Sequence, residues 1–224
     1  MTQPLSRKDL AGMIDHAVLS VTAGRSEVAS ACDLAGRVKA ATVCVKPCHV
    51  ALAAGLLRGS GVGISTVVSF PHGADVPAIK AEQARAAVAE GADELDMVIN
   101  IAALREGDLA LVRRDIAAVV AAVGGRCVKV ILECALLTDE QKRAGCQAAL
   151  AEGAWFLKTS TGFASGGATQ SDVRLLRQTV GDRAGVKAAG GIRTLADAMA
   201  MIRAGANRLG TSATADILAE LGIA

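Results

Sequence analysis

Glu152-Gly153-Ala154-Trp155-Phe156-Leu157-Lys158-Thr159-Ser160-Thr161-Gly162 changes character twice along its length. Glu152-Gly153 closes an alanine-rich segment with helical spacing, and glycine readily takes the left-handed conformation just past a helix C-terminus. Residues 154–157 are a short apolar run of strand type. The run ends on a lysine, and small residues and a glycine follow. The same punctuation recurs at Glu90-Gly91-Ala92-Asp93 and at Ala204-Gly205-Ala206-Asn207. Working outward from it, eight runs read as strands: 13–18, 41–45, 62–69, 94–99, 127–132, 155–158, 186–189 and 208–210. Helical patterns lie between them, as at 77–90, 108–123, 138–152, 170–180 and 195–203. Strands that alternate with helices imply βαβ units and a parallel sheet. Val128-Lys129-Val130-Ile131-Leu132 is close to the continuous apolar run of a strand covered on both faces. Eight such units in 224 residues predict an α/β fold, a (β/α)8 TIM barrel forming a single domain over 1–224. An open doubly wound sheet is the alternative, but no GxGxxG turn follows the first strand.

The chain is 52% apolar and only 2% aromatic, so alanine, valine and leucine must build the core. A net charge of +2 with scattered basic residues offers no field for nucleic acid. No apolar stretch is long and uninterrupted enough for a bilayer. The start Met1-Thr2-Gln3-Pro4-Leu5-Ser6-Arg7-Lys8 lacks the apolar core of an export signal, so a cytoplasmic location is expected. Cys32, Cys44, Cys48, Cys127, Cys134 and Cys146 fit neither zinc nor CxxC spacing and read as small buried hydrophobes. His16, His49 and His72 stand alone.

Lys158 and Lys187 both fall in strands that should be buried, where an unpaired ammonium is costly and its pKa tends to drop. An amine with a depressed pKa is a nucleophile capable of forming an imine. Asp96, in Glu94-Leu95-Asp96-Met97-Val98, poses the opposite problem, and either a structural ion pair or proton transfer beside the lysines accounts for it. Catalytic groups of this fold gather at the C-terminal ends of the strands. Asp15 with His16, Cys44, Asp96 with Asn100, Glu133, Lys158 and Lys187 are all expected there. Gly190-Gly191 and Gly210-Thr211-Ser212 follow the seventh and eighth strands, the last running into a helix near Ala213. Glycine loops and helix N-termini at those positions suit a phosphate group. A phosphosugar isomerase or synthase and a non-catalytic phosphate-binding barrel are the alternatives, and neither gives the strand lysines a task.

Over essentially its whole length the chain resembles the deoxyribose-phosphate aldolases, class I aldolases with a (β/α)8 fold. The residues that carry the resemblance are Ile14-Asp15-His16, Val43-Cys44-Val45-Lys46-Pro47, Val68-Ser69-Phe70-Pro71-His72-Gly73 and Glu94-Leu95-Asp96-Met97-Val98-Ile99-Asn100. They continue with Lys129-Val130-Ile131-Leu132-Glu133, Phe156-Leu157-Lys158-Thr159-Ser160-Thr161-Gly162, Val186-Lys187-Ala188-Ala189-Gly190-Gly191-Ile192-Arg193 and Gly210-Thr211-Ser212. The resemblance implies reversible cleavage of 2-deoxy-D-ribose 5-phosphate to D-glyceraldehyde 3-phosphate and acetaldehyde, a step of deoxynucleoside breakdown. It implies Lys158 as the Schiff-base former, Lys187 as the group that lowers its pKa, Asp96 as proton shuttle and Asp15 as the residue orienting Lys187. Gly162, Gly190, Gly191, Gly210, Thr211 and Ser212 would hold the phosphate. No metal or cofactor is implied, and a homo-oligomer, dimer or larger, is favoured. Ala17-Val18, Lys46 and His49 depart from the usual family pattern, which bears on fine substrate preference, while Phe163 is shared with many relatives.

Overall fold

In a computed structural model that describes residues 5–221, eight parallel strands close into a barrel in sequence order. They are β1 (Ile14–Val18), β2 (Thr42–Val45), β3 (Gly63–Val68), β4 (Glu94–Val98), β5 (Cys127–Ile131), β6 (Phe156–Lys158), β7 (Gly185–Ala189) and β8 (Arg208–Thr211). β8 pairs back onto β1 through Asp15↔Gly210, so the sheet has no edge. The helices are α1 (Arg7–Ala11), α2 (Arg25–Val38), α3 (Val50–Leu56), α4 (Pro77–Ala89), α5 (Ile101–Glu106), α6 (Leu109–Ala122), α7 (Asp139–Ala151), α8 (Gln170–Val180), α9 (Leu195–Ala204) and α10 (Thr214–Glu220). Met1–Pro4, half of the start judged for an export signal, and the last three residues lie outside the described residues. Among the described residues no helix is long and apolar enough to cross a membrane.

The glycine punctuation works as its chemistry predicts. Gly91, Gly153 and Gly205 all take positive φ just beyond α4, α7 and α9, where a side chain would be strained. Polar caps start the helices: Asp108 for α6, Thr138 with Gln141 for α7, and Thr194 with Asp197 for α9. The one helix hidden from the sequence reading between β4 and α6 is α5. Asn100, expected at the mouth, is its cap and accepts a hydrogen bond from the Ala103 amide at 3.0 Å.

Alternation along the strands sorts side chains between two cores. Val43, Val45, Leu95, Met97, Val128, Val130, Leu157, Val186 and Leu209 point out beneath the helices. The inward positions of β1, β4, β5, β6, β7 and β8 instead carry Asp15, Asp96, Lys129, Lys158, Lys187 and Arg208. The barrel interior is therefore polar, and every one of these groups needs a partner.

Candidate active site

Four lysines are buried among the described residues: Lys80, Lys129, Lys158 and Lys187. Burial alone does not single out chemistry. Lys80, on α4, donates to Asp115 Oδ2 at 2.6 Å and to the Val98 carbonyl at 2.8 Å, joining α4, α6 and β4 outside the barrel. The other three share the barrel interior and one carboxylate.

Lys158 and Lys187 are direct partners in the β6–β7 register. Each Nζ lies 2.7 Å from the same oxygen, Asp96 Oδ2. The other oxygen, Oδ1, accepts from Lys129 Nζ at 2.7 Å. Lys187 also donates to Asp15 Oδ2, and Asp15 Oδ1 accepts from Arg208 at 2.7 Å. Asp15 therefore bonds Lys187 and Arg208 at once. Gly210 makes room for Lys187: a Cβ there would lie 3.1 Å from Lys187 Cε and 3.0 Å from Ala189 Cβ.

Electrostatics separate the two neighbouring lysines. Burial pushes the Lys158 amine below its ordinary value; Asp96 opposes this, while the Lys187 charge reinforces it. For Lys187 burial acts the same way, but Asp15 and Asp96 outweigh it and hold the ammonium charged. Burial favours a neutral Asp96, yet three lysines around it keep the carboxylate ionised well below the usual range. The arrangement sets an amine with a lowered pKa beside a charged ammonium, with one carboxylate in hydrogen-bond reach of both.

Lys158 and Lys187 open onto a cavity of about 450 Å³ at the C-terminal end of the strands, also lined by Asp15, Cys44, Gly162, Gly190, Gly191, Gly210, Thr211 and Ser212. Asp96, fully buried, lies beneath it. Gly162, Gly190 and Gly191 all take positive φ, and a Cβ on Gly190 would come within 3.5 Å of Gly162 Cα. Their peptide groups crowd one side of the cavity as only glycines allow. The Thr211 hydroxyl is already engaged, donating to the Ile192 carbonyl at 2.7 Å and accepting from the Ala213 amide at 2.9 Å. Ser212 is exposed at the rim. A larger hollow of about 930 Å³ lies beside Trp155, Arg177 and Asn207, away from the barrel lysines.

Not every residue expected at the mouth reaches the cavity. His16 turns outward from β1 to Thr214 Oγ1 at 2.8 Å, because its neighbour Asp15 takes the inward position. Glu133 accepts from the Thr161 amide at 3.1 Å and from its hydroxyl, steadying the loop after Lys158. Lys46 donates to the carbonyls of Val21 and Ala23 at 3.0 and 2.8 Å, and His49 lies 3.4 Å from the Ala23 carbonyl. Those two departures fasten the loop between β1 and α2. Ala17, by contrast, lines the cavity. Five cysteines are buried and unpaired, and Cys48 is exposed.

The profile of the DeoC/LacD family of aldolases matches residues 10–219. The deoxyribose-phosphate aldolase of Macrococcus caseolyticus is 50% identical over 210 residues, 94% of this chain and 96% of that one. Its counterpart in Streptococcus pneumoniae is 52% identical over 205 residues, 92% of this chain and 93% of the relative. Among solved structures, the tetrameric deoxyribose phosphate aldolase from Aeropyrum pernix superposes with a TM-score of 0.90 at 31% identity, covering 96% of this chain and 92% of that one. Barrel, buried lysines and sequence agree: the chain belongs to the DeoC/LacD family of aldolases.

Proposed function

We propose that the protein is a deoxyribose-phosphate aldolase that cleaves 2-deoxy-D-ribose 5-phosphate reversibly to D-glyceraldehyde 3-phosphate and acetaldehyde through a Schiff base on Lys158. One observation carries the assignment of the nucleophile: two adjacent buried lysines share Asp96 Oδ2, but only Lys187 has a second carboxylate. Lys187 stays a cation, and Lys158 is the amine left free to attack.

The neutral Lys158 Nζ adds to the C1 carbonyl to give a carbinolamine. Proton transfer through Asp96 lets water leave and forms the protonated imine. That imine draws the electrons of the C2–C3 bond toward nitrogen while the C3 hydroxyl gives up its proton. D-glyceraldehyde 3-phosphate departs, and an enamine remains on Lys158. Protonation at C2 and hydrolysis release acetaldehyde and restore the amine. Lys187 holds the charge pattern that keeps Lys158 neutral, and Asp15 holds Lys187. Gly162, Gly190, Gly191 and Gly210, with the Thr211–Ser212 backbone, are assigned to the phosphate on the strength of the crowded positive-φ turns and their place in the cavity.

We assign this activity to a homo-oligomer, dimer or larger, supported by the tetrameric Aeropyrum pernix relative; light scattering on the purified chain tests it. A cytoplasmic setting is supported by its buried, unpaired cysteines. Incubation with acetaldehyde, borohydride reduction and peptide mass spectrometry test the chemistry. Ethylation at Lys158 supports the assignment, and the absence of any adduct on a barrel lysine would overturn it.

A further inference from the structure

The hydrogen-bond network around Lys158 does not stop at Asp96. Asp96 Oδ1 leads to Lys129, and Lys129 Nζ lies 2.6 Å from Glu94 Oε2 at the opposite, N-terminal end of the barrel. Glu94 meets Arg208 at 3.2 Å, and Arg208 returns to Asp15 and so to Lys187. The loop is closed: Asp96, Lys129, Glu94, Arg208, Asp15, Lys187 and back to Asp96 Oδ2. It contains three carboxylates and three obligate cations. Lys158 is the seventh ionisable group, attached to Asp96 alone.

In a low-dielectric interior, net charge is strongly resisted. With Lys129, Lys187 and Arg208 charged against Asp15, Asp96 and Glu94, the interior is neutral only when Lys158 carries no proton. Two members of the ring are reachable from outside: the side chains of Glu94 and Arg208 keep 17% and 16% of their exposure. Arg208 is further held over the Phe156 ring, 5.3 Å from its centroid. The remaining titratable groups are Cys44 of β2, beside Lys158, and Cys127 of β5, beside Lys129 and Glu94, both pushed toward the neutral thiol by burial. β3 contributes none, and Glu27 and Arg193 stand at the cavity rim.

We propose that Glu94 and Arg208 are positioning residues that fix the protonation state of the Lys158 amine from the far end of the barrel, by completing this six-membered charge ring. The inference rests on Lys158 being the nucleophile. Neither residue lines the cavity. Removing the Glu94 charge leaves the interior one unit too positive, so the Lys158 amine loses its proton at lower pH. Removing the Arg208 charge leaves it one unit too negative, and Lys158 recruits a proton to restore balance.

The test follows the pH dependence of borohydride trapping of acetaldehyde on Lys158 in the full-length protein. For Glu94→Gln the acidic limb is expected to move to lower pH by on the order of one unit, and for Arg208→Gln to higher pH by a similar amount. Arg208→Lys, which keeps the charge, and the double variant Glu94→Gln/Arg208→Gln, which removes one charge of each sign, are expected to hold the wild-type limb. A ring that only supports the fold predicts a lower melting temperature with no movement of the limb. Single variants that move together, or a limb that stays put in both while wild type is trapped at Lys158, would overturn the proposal. If either single variant fails to fold, a displaced limb in Arg208→Lys or in the double variant overturns it equally. A wild-type protein that gives no adduct at Lys158 would instead remove the nucleophile assignment on which the inference stands.

Discussion

Lys158 and Lys187 lie in register on neighbouring strands, and both reach Asp96 Oδ2 at 2.7 Å. Two positive charges on one oxygen would repel each other, and Asp15 makes the pair asymmetric by taking hold of Lys187.

Lys158→Ala removes the amine but leaves Asp96 with Lys187 and Lys129, so the carboxylate stays paired. Cleavage of deoxyribose 5-phosphate should fall by at least about a thousandfold, while circular dichroism and the melting profile remain those of a folded protein. Turnover near the wild-type rate would contradict the nucleophile assignment.

Lys187→Leu takes one cation from two buried carboxylates. Breaking a buried pair in this way costs roughly 3–5 kcal/mol, which for a chain of this size lowers the melting temperature by about 10 °C. Loss of the neighbouring positive charge also lets Lys158 keep its proton at neutral pH. Activity should drop by about a hundredfold or more, with part of the loss recovered at higher pH. A pH profile unchanged in shape would exclude a role for Lys187 in tuning the amine.

Imine formation in the wild type should rise with pH along a limb placed below the ordinary lysine value of 10.5, because only the unprotonated amine attacks and burial depresses its pKa. Asp96 and Asp15 set how stability, rather than reaction, depends on pH. Both have folded pKa values below the ordinary 3.8, so their contribution is complete above that value and is lost as pH falls beneath it. Urea midpoints measured across pH 2–7 should therefore be steady from neutrality to about pH 4 and then fall steeply. In Asp96→Asn the acid-dependent fall should be smaller.

Gly190→Ala places a side chain at φ +92° and a Cβ 3.0 Å from Gly167 Cα. The turn must move, and the amides assigned to phosphate move with it. KM for deoxyribose 5-phosphate should rise by about tenfold or more, equivalent to about 1.4 kcal/mol. Trapping of acetaldehyde, which has no phosphate, should change by less than about threefold. Equal losses in both assays would argue that the glycine serves the barrel rather than the ligand.

The strands were legible because buried parallel strands leave short apolar runs and because Gly91, Gly153 and Gly205 mark the turns before three of them. Lys158, Lys187, Asp96 and Asp15 stood out as charges in such runs, and the structure brings all four together. Lys129 escaped notice although it obeys the same logic. Flanked by Val128 and Val130 in β5, it passed as a blemish in an apolar run, when the strand period turns it inward beside Asp96. Glu94 and Arg208 were invisible for a different reason: a charge at the start of a strand is ordinary, and only barrel closure brings β4 and β8 within reach of each other. Lys80 sets the limit in the other direction. It is as buried as the barrel lysines yet lies between helices and barrel wall, bound to Asp115 and the Val98 carbonyl, and the alanine-rich α4 carries no apolar stripe that marks this face as the buried one.

The reacting side chains hang from the barrel strands themselves, whereas the mouth is shaped by loops that Lys46, His49 and Glu133 pin from outside the cavity. Reaction and recognition are thus separable modules. A designer could exchange the loops after β1, β2 or β6 to admit a longer or uncharged aldehyde, and the imine-forming centre would come along intact. The same modularity gives natural variation a safe place to act: Lys46 and His49 can differ from relatives without altering the bond that is broken.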